Sequence, residues 1–397
     1  MPSQLPTLPP ASDIALAHSR TLQKVIQAEI QAAGGWIPFA QYMDLALYAP
    51  GLGYYSGGSA KFGGMGDFVT APEISSLFGR TLARQVVQVF ELTGVANILE
   101  FGAGSGKLAL DLLLELEKSG HLPEKYFILE VSAELRHRQQ TLFTEQAPHL
   151  TPLLEWPEQL PSQFNGVILA NEVLDAMPVH IVTWRGIEFF ERGVTWQDNA
   201  FAWQDRPIQD ETLHKTASQL ATRINPDHNA TCCYISEINL NANRFLRSLA
   251  DVLQHGVAIL IDYGFGHNEY YHPQRDQGTL MCHYRHYAHG DPFYQPGLQD
   301  ITSHINFSAL TEAIEETDLI LLGYTTQAHF LINCGITDIL TQTPIENISH
   351  YLPQANQLQR LVSPAEMGEL FKVVAFGKGD LSQSLIGFDQ NDKSHSL

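Results

Sequence analysis

The feature that most constrains the fold is a glycine-rich turn between an apolar segment and a helical pattern. The apolar segment 98–101 contains an acid, Glu100, and is followed by glycine at alternate positions, Gly102, Gly104 and Gly106. Glycines allow positive φ and let a ligand approach the main chain closely, and the start of a helix presents unpaired N–H groups. The pattern predicts a strand, a tight turn that binds a ligand, and a helix. A turn that only joins the strand to the helix is the alternative.

Strand-like and helix-like segments alternate over most of the chain. This alternation predicts an α/β fold with a parallel, doubly wound, Rossmann-like sheet of seven strands and right-handed crossovers. The first strand is 98–101, and the others are expected at 126–131, 153–154, 166–172, 257–264, 319–324 and 371–377. Helices are expected at 14–33, 38–48, 72–92, 133–143, 237–254 and 307–316.

The breaks in this alternation suggest a domain organisation. We predict N-terminal helices with a Gly-rich lid segment over 1–85, a core over 86–378 and a flexible tail over 379–397. Three segments of the core lack the alternation and are expected to form a cap over the strand ends, namely 178–230, 265–305 and 330–368. Within the first of these, Trp184, Trp196 and Trp203 lie among alternating residues, which predicts antiparallel hairpins.

Composition excludes several classes of protein. The 397 residues carry a formal charge of −20, which disfavours nucleic-acid binding, because that relies on Lys and Arg neutralising phosphates. A basic protein segment is a more natural partner. No apolar run reaches the ~18 residues that span a bilayer. The segment 1–10 has no basic residue, so we expect neither a signal nor a transit peptide and a cytoplasmic, bacterial-type protein.

A run of possible metal ligands occurs in the second irregular segment. Cys282, His283, His286 and His289 have suitable spacing, but zinc sites usually need four well-placed ligands, and no partner motif accompanies this run. We therefore predict a polar loop that contains His286 and binds no metal ion. None of the cysteines forms a Cys-x-x-Cys pair, which favours reduced thiols.

Polar residues follow several predicted strands, where ligands bind in sheets of this kind. Glu100 is expected to hold the glycine-rich turn or to orient a water molecule. Glu130 closes the next strand, where a carboxylate can accept hydrogen bonds from both hydroxyls of a ribose; a solvated acid is the alternative. Trp156 follows the third strand and can form the wall of an adenine site, although a core tryptophan fits equally well.

A second polar segment follows the fourth strand. Asn171, Glu172 and Asp175 lie within the sequence NEVLDAMPVH. Carboxylates match the planar fork of donors that a guanidinium presents. Glu172 and Asp175 are therefore candidates to hold the guanidinium of a methyl acceptor, and the alternative is an N-capped helix start with solvated acids.

The chain resembles the MidA family of class I S-adenosylmethionine-dependent methyltransferases, whose mitochondrial members are complex I assembly factor protein-arginine methyltransferases. The most specific matches are the segments GDFVTAPE and NEVLDAMPV. The matching segments run in order over almost the whole chain, at 51–55, 66–75, 99–106, 129–132, 171–180, 261–264, 278–280, 299–304, 364–368 and 371–372. The chain has Ala103 where members often carry proline and Asn306 where they often carry aspartate.

The resemblance implies S-adenosylmethionine as methyl donor, S-adenosylhomocysteine as product and a protein arginine as acceptor, dimethylated symmetrically by the mitochondrial members. A small-molecule N- or O-methyltransferase and a cofactor-binding assembly factor with little catalysis are the alternatives, and the oligomeric state, a homodimer included, stays open. The predicted cofactor-binding residues are Glu100, Gly102, Ala103, Gly104, Gly106, Glu130, Val131, Asn171 and, from a lid over 66–74, Asp67 and Thr70. The predicted catalytic residues are Asn171, Glu172, Asp175 and His286.

Overall fold

A computed structural model describes residues 8–57, 69–225, 233–381 and 383–397. The chain folds into two compact units, each assembled from segments that are distant in sequence. The first unit is formed by the described parts of Met1–Phe68, Asp175–Asn243 and His267–Ile305. The second is formed by those of Val69–Leu174, Arg244–Gly266 and Asn306–Leu397.

Helices and strands alternate over much of the second unit, whereas most strands of the first unit lie in antiparallel sheets. The helices are α1 (Asp13–Ala32), α2 (Phe39–Tyr48), α3 (Ala71–Ile74), α4 (Ser76–Thr93), α5 (Lys107–Ser119), α6 (Ala133–Gln146), α7 (Glu211–Ile224), α8 (Leu240–Val252), α9 (His267–Tyr270), α10 (Phe307–Ile314), α11 (Gln327–Asn333), α12 (Ile336–Thr341), α13 (Ile348–Val362) and α14 (Met367–Leu370). The strands are β1 (Ile37–Pro38), β2 (Asn97–Phe101), β3 (Lys125–Leu129), β4 (Leu154–Glu155), β5 (Phe164–Asn171), β6 (His180–Arg185), β7 (Glu188–Gln197), β8 (Ala200–Arg206), β9 (Cys233–Ile238), β10 (Leu253–Phe265), β11 (Met281–Tyr284), β12 (Tyr287–His289), β13 (Asp300–Thr302), β14 (Ile305–Asn306), β15 (Ile320–Thr326) and β16 (Phe371–Lys378). None of these helices is long and apolar enough to cross a membrane, among the residues that the structure describes.

The second unit is built on the predicted α/β sheet. Its strand order is β15-β16-β10-β5-β2-β3-β4, and the short β14 also pairs with β10. Five neighbouring strands of this sheet run parallel to one another, namely β10, β5, β2, β3 and β4. The prediction of an all-parallel sheet is wrong at one strand, because β16 is antiparallel to both of its neighbours. Thr326 at the end of β15 lies opposite Lys372 at the start of β16, so the connection returns at the same edge of the sheet.

The first part of the connection between β15 and β16 belongs to the core of this unit and does not form a cap. Phe330, Leu331 and Ile339 are buried in one apolar cluster with Leu77 and Phe78 of α4. The expectation of a cap is therefore wrong for 330–340, whereas α13 lines a cleft and its predicted role as part of a cap stays a prediction. The predicted boundary at residue 85 falls inside α4, which packs against this same core.

The predicted flexible tail is ordered. Leu385 and Phe388 are buried in the core of the second unit, and the N–H of Gly387 donates to Oε1 of Gln85 at 2.9 Å. Two short 3-10 helices, Ile386–Phe388 and Ser394–Ser396, follow β16. The tail holds few apolar residues, but those two are placed to fill the core, so the segment packs instead of moving freely.

The first unit contains two antiparallel sheets. The larger has the order β1-β7-β6-β9 with β8 paired to β7, which confirms the hairpins predicted around Trp184, Trp196 and Trp203. The smaller has the order β12-β11-β13. The helix predicted from residue 237 is wrong at its start, because Glu237 lies in β9 opposite Ile181 of β6, and α8 begins at Leu240.

Candidate functional site

The glycine-rich turn has the predicted strand–turn–helix geometry. The φ values are 59° at Gly102, 55° at Gly104 and 85° at Gly106, and residues that have a Cβ atom rarely adopt such values. A Cβ on Gly106 would also lie 3.2 Å from Cγ of Gln139. The N–H of Gly102 donates to the carbonyl of Leu129 at 3.0 Å, which ties the turn to the end of β3. Conformation thus favours glycine at all three positions, and the space for a side chain at Gly106 is tight.

Glu130 lies directly after β3 with its carboxylate buried. Its Oε1 accepts from the N–H of Ser132 at 2.9 Å, and its Oε2 accepts from Nε2 of Gln139 at 3.2 Å. Burial raises the pKa of Glu130, and the hydrogen bonds from Ser132 and Gln139 oppose that rise. The residue is 5% exposed, so the alternative of a solvated acid is wrong.

Gln139 was not predicted as a site residue, yet it links the parts of this region. Its Nε2 also donates to the carbonyl of Gly104 at 2.9 Å, and its Oε1 accepts from the indole N–H of Trp156 at 2.9 Å. Trp156 is partly buried against the core. Helix α6 is polar on nearly all sides, so the sequence pattern does not distinguish Gln139 from its neighbours.

Glu100 is buried near the end of β2 and is 2% exposed. Its Oε2 accepts from the hydroxyl of Tyr126 at 2.7 Å. Burial raises the pKa of Glu100 from 4.5 to about 7, with a smaller contribution in the same direction from the charge of Glu130, while the Tyr126 hydrogen bond lowers it. The residue therefore holds β2 and β3 together through their side chains.

The segment predicted as a lid is described only from residue 69 onward, and Asp67 lies outside the described residues. Thr70 is half-buried and precedes the short helix α3. On α3, Glu73 accepts a hydrogen bond from the hydroxyl of Ser105 in the glycine-rich turn. Glu73 and Lys107 also line a cleft of about 390 Å³ whose opposite wall is α13. The motif that contains Glu73 thus contacts the turn directly.

The backbone at Glu172 is unusual. Its φ is 53°, in the left-handed region that residues other than glycine seldom occupy. Its N–H donates to the carbonyl of Ile261 at 2.9 Å, and two residues later the N–H of Leu174 donates to Oδ2 of Asp262 at 3.0 Å. The end of β10 thus fixes the conformation of the chain that leaves β5.

The side chains at this point are polar and partly exposed. Nδ2 of Asn171 donates to Oε1 of Glu172 at 3.2 Å. Oδ1 of Asn171 is buried and has no hydrogen-bond partner among the described residues. No helix follows Glu172 before β6, so the alternative of an N-capped helix start is wrong. Asp175 belongs to the first unit, and its joint action with Glu172 stays a prediction.

His286 lies at the tip of the β11–β12 hairpin. Arg285 and His286 form its two-residue loop, with φ values of 49° and 66°, and the side chain of His286 is exposed. Within the described part of the chain, no group of three or more His, Cys, Asp or Glu side chains is arranged to hold a metal ion. Asn306 caps α10, since its Oδ1 accepts from the N–H of Ala309 at 3.2 Å; aspartate and asparagine serve equally well in that role.

The residues around the turn fit an adenosine cofactor. Val131, directly after Glu130, is 81% exposed, which is unusual for an apolar residue at a strand end and suits contact with a flat ring. A sheet of this order, with a glycine-rich turn after β2 and a buried acid after the neighbouring β3, defines a class I S-adenosylmethionine-dependent methyltransferase.

Comparisons with known proteins assign the family. Residues 81–325 match the family model described as "Putative S-adenosyl-L-methionine-dependent methyltransferase". A crystal structure of a Burkholderia thailandensis protein bound to S-adenosyl-homocysteine has 49% sequence identity and a TM-score of 0.93, covering 98% of this chain and 100% of that one. The chain belongs to the MidA family of these methyltransferases, as the sequence motifs predicted, and its cofactor is S-adenosylmethionine.

Curated relatives are more distant. The Drosophila melanogaster protein named protein arginine methyltransferase NDUFAF7 homolog, mitochondrial, is 28% identical over 95% of this chain and 89% of its own length. The Homo sapiens protein named protein arginine methyltransferase NDUFAF7, mitochondrial, is 27% identical over 86% of this chain and 80% of its own length.

Proposed function

We propose that the protein methylates the guanidinium of an arginine in a protein partner. The observation that carries this proposal is Glu172, a partly exposed carboxylate held in a strained backbone conformation at the carboxyl end of β5. Strain of this kind persists where the surrounding structure enforces it, and it clusters at active sites. The names of the relatives from Drosophila and human support arginine as the acceptor.

In this proposal the residues around the glycine-rich turn hold the cofactor. The backbone of 102–106 lies against the methionine part, Glu130 accepts hydrogen bonds from the ribose hydroxyls, and Val131 contacts the adenine. Glu100 and Thr70 complete the cofactor site as the sequence predicts, and Asp67 is a candidate from the sequence alone. S-adenosylmethionine supplies an electrophilic methyl group on a positively charged sulfur.

Glu172 and Asn171 act on the acceptor. A guanidinium stays protonated at physiological pH, so the nitrogen that bonds to the methyl carbon must release its proton, which passes to solvent. The bond between sulfur and the methyl carbon breaks in the same step, and its electron pair stays on the sulfur of S-adenosylhomocysteine, which leaves. The Glu172 carboxylate accepts N–H bonds from the guanidinium, which turns one nitrogen toward the methyl group and stabilises the cation. Asn171 orients Glu172 through their hydrogen bond. The contribution is one of positioning and electrostatics, and Asp175 is the second predicted carboxylate.

Charge also supports a protein acceptor. A chain of formal charge −20 attracts basic segments at long range, and arginine-containing segments of proteins are often basic. Symmetric dimethylation, the product implied for the mitochondrial members, is the finer part of this proposal.

The test is to incubate the protein with S-adenosylmethionine carrying a labelled methyl group and with lysate of its own cell. Labelled proteins and residues are then identified by mass spectrometry, with Glu172→Gln as the matched control. We expect label on arginine with the wild type and a strong loss with the variant. Fragmentation distinguishes symmetric from asymmetric dimethylarginine.

Other outcomes would replace the proposal. Label confined to the small-molecule fraction would indicate an N- or O-methyltransferase of metabolites. Cofactor binding without label in any fraction would indicate an assembly factor. Label on a different amino acid would retain the protein partner and reject the guanidinium.

A further inference from the structure

We propose that Tyr48, Tyr55 and Asp300 are positioning residues that fix the Asp175 carboxylate for the methyl acceptor. The inference rests on the proposed function, because it assumes that Asp175 faces a cationic acceptor. It concerns the first unit alone and gives a role to two motifs, 51–55 and 299–304, that the cofactor site does not use.

Two hydrogen bonds hold the backbone at Asp175. The N–H of Ser303 donates to the carbonyl of Asp175 at 3.0 Å, and the hydroxyl of Tyr48 donates to the carbonyl of the next residue, Ala176, at 2.9 Å. The donors come from α2 and from the segment after β13, which are far apart in the sequence. Residues 175 and 176 belong to no helix or strand, so these bonds replace the support that regular structure would give.

The donors are themselves connected. The rings of Tyr48 and Tyr55 stack with centroids 5.5 Å apart and planes 21° apart. The hydroxyl of Tyr55 donates to the Asp300 carboxylate, 3.0 Å from each oxygen. Asp300 is 1% exposed and starts β13, three residues before Ser303. Contacts thus link Tyr48 through Tyr55 to Asp300, and the short segment from Asp300 to Ser303 brings the second donor to the backbone of Asp175.

The electrostatics around Asp175 and Asp300 favour the binding of a cation. Burial raises the pKa of Tyr55 well above its ordinary value, and the charges of Asp300 and Asp175 add to the rise. Tyr55 thus remains a donor to Asp300 at every physiological pH. Asp175 and Asp300 are both buried, at 6% and 1% exposure, and an acceptor with a fixed positive charge offsets the cost of holding two carboxylates out of water.

The chain offers a matched pair of variants on one helix. Tyr48→Phe removes the hydroxyl that holds Ala176, whereas Tyr42→Phe removes an equivalent bond on α2, from the Tyr42 hydroxyl to the carbonyl of Pro292 at 2.7 Å. Each variant is measured alone and combined with Asp175→Asn. The readouts are kcat/KM for the acceptor and the Kd of S-adenosylmethionine.

We expect Tyr48→Phe to lower kcat/KM by roughly 10-fold to 100-fold, as for a misplaced catalytic group, with the Kd unchanged. Tyr42→Phe should leave both values unchanged. If Tyr48 acts through Asp175, it should change kcat/KM by no more than about twofold in the Asp175→Asn background. Full additivity of the two losses, or equal losses for Tyr42→Phe and Tyr48→Phe, would overturn the proposal.

A second measurement does not depend on turnover. Hydrogen exchange at the amide of Ser303 should accelerate in Tyr48→Phe and not in Tyr42→Phe, because only the former loosens the Asp175 carbonyl; equal exchange in both would also overturn the proposal. Failure of the proposed function has a different signature. Methyl transfer to a residue other than arginine would reject the guanidinium, while the coupling between Tyr48 and Asp175 would still be measured on that acceptor. No transfer to any acceptor would reject both.

Discussion

Glu172 and His286 both have left-handed backbone, but only at His286 does the local turn explain it. His286 is the second central residue of a two-residue hairpin loop, and the favoured type I′ loop needs positive φ at both central positions. Glu172 follows a parallel strand and belongs to no hairpin. Its strain is imposed by contacts with β10. A left-handed backbone conformation thus indicates a functional residue only where the local turn type does not itself require it.

The same comparison separates two residues that the sequence placed together as catalytic. His286 lies on an exposed hairpin loop, and Glu172 lies at the carboxyl end of β5, a central strand of its sheet. Ligands bind at that end of such sheets. We therefore propose the acceptor chemistry for Glu172 and propose no part in it for His286, whose predicted catalytic role the structure does not test.

The largest expected effect tests this assignment directly. Glu172→Gln keeps size and hydrogen bonding but removes the charge that holds the guanidinium. Steady-state kinetics should show kcat lower by ~10²–10³-fold, with the affinity for S-adenosylmethionine nearly intact. His286→Gln, the matched control, should leave kcat unchanged. An equal loss in both variants would break the comparison, and lost cofactor binding in Glu172→Gln would move that residue to the cofactor site.

Glu100, a second carboxylate of the same sheet, is destabilised by burial of its charged form and not by backbone strain. Because burial raises the pKa of Glu100 from 4.5 to about 7, the folded protein holds a proton at Glu100 that the unfolded chain has lost. The stability from this proton is fully present below pH 4.5 and is lost as the pH rises toward 7, by about 3 kcal/mol. Urea unfolding at several pH values should show the wild type losing stability relative to Glu100→Gln over this range.

The control for this experiment is Glu145→Gln, at an exposed site on α6. It removes a carboxyl group from the surface and not from the core, so the loss of stability expected at Glu100 should be absent from this comparison. A constant difference between wild type and Glu100→Gln would mean that the pKa of Glu100 is the same in the folded and unfolded states.

The third prediction tests whether Glu130 binds the cofactor while Glu172 binds the acceptor. If Glu130 binds the ribose, Glu130→Ala should weaken binding of S-adenosylmethionine by ~1–3 kcal/mol, the usual value of hydrogen bonds to a charged group. Calorimetry measures this directly, with Glu134→Ala in the first turn of α6 as control. Wild-type affinity in Glu130→Ala would remove that residue from the cofactor site and leave Glu172 as a second candidate for the same role.

The sequence pattern was sufficient to predict those features whose conformation depends only on neighbouring residues. The strands of the second unit follow from apolar runs bounded by turn residues, and the turn at 102–106 follows from its glycines. Helix α1 begins after Ser12, whose hydroxyl accepts from the N–H of Ala15, and serine is a favoured residue at this capping position. Each of these features depends on residues within one or two turns of chain.

Features that depend on distant residues were not predictable. The φ of Glu172 is set by Ile261 and Asp262, about ninety positions away in the chain. Glu237 is buried in β9 because backbone N–H groups of Thr279 and Leu280 satisfy its carboxylate, and without those partners the segment reads as polar and helical. Nothing in a window around either glutamate carries this information.

The smallest expected effect is on stability, and it returns to the two strained turns. Glycine adopts positive φ without strain, which is worth roughly 1–2 kcal/mol, but its freedom in the unfolded chain costs part of that, ~0.4–1 kcal/mol. His286→Gly and Glu172→Gly should therefore each raise the free energy of unfolding by up to about 1 kcal/mol in urea titrations. Only Glu172→Gly should abolish methyl transfer, so stability and activity diverge at that site and not at the hairpin. Lower stability in Glu172→Gly would show that the side-chain contacts of Glu172 contribute more than the backbone strain costs. The left-handed backbone at Glu172 would then be a consequence of packing and would not indicate function.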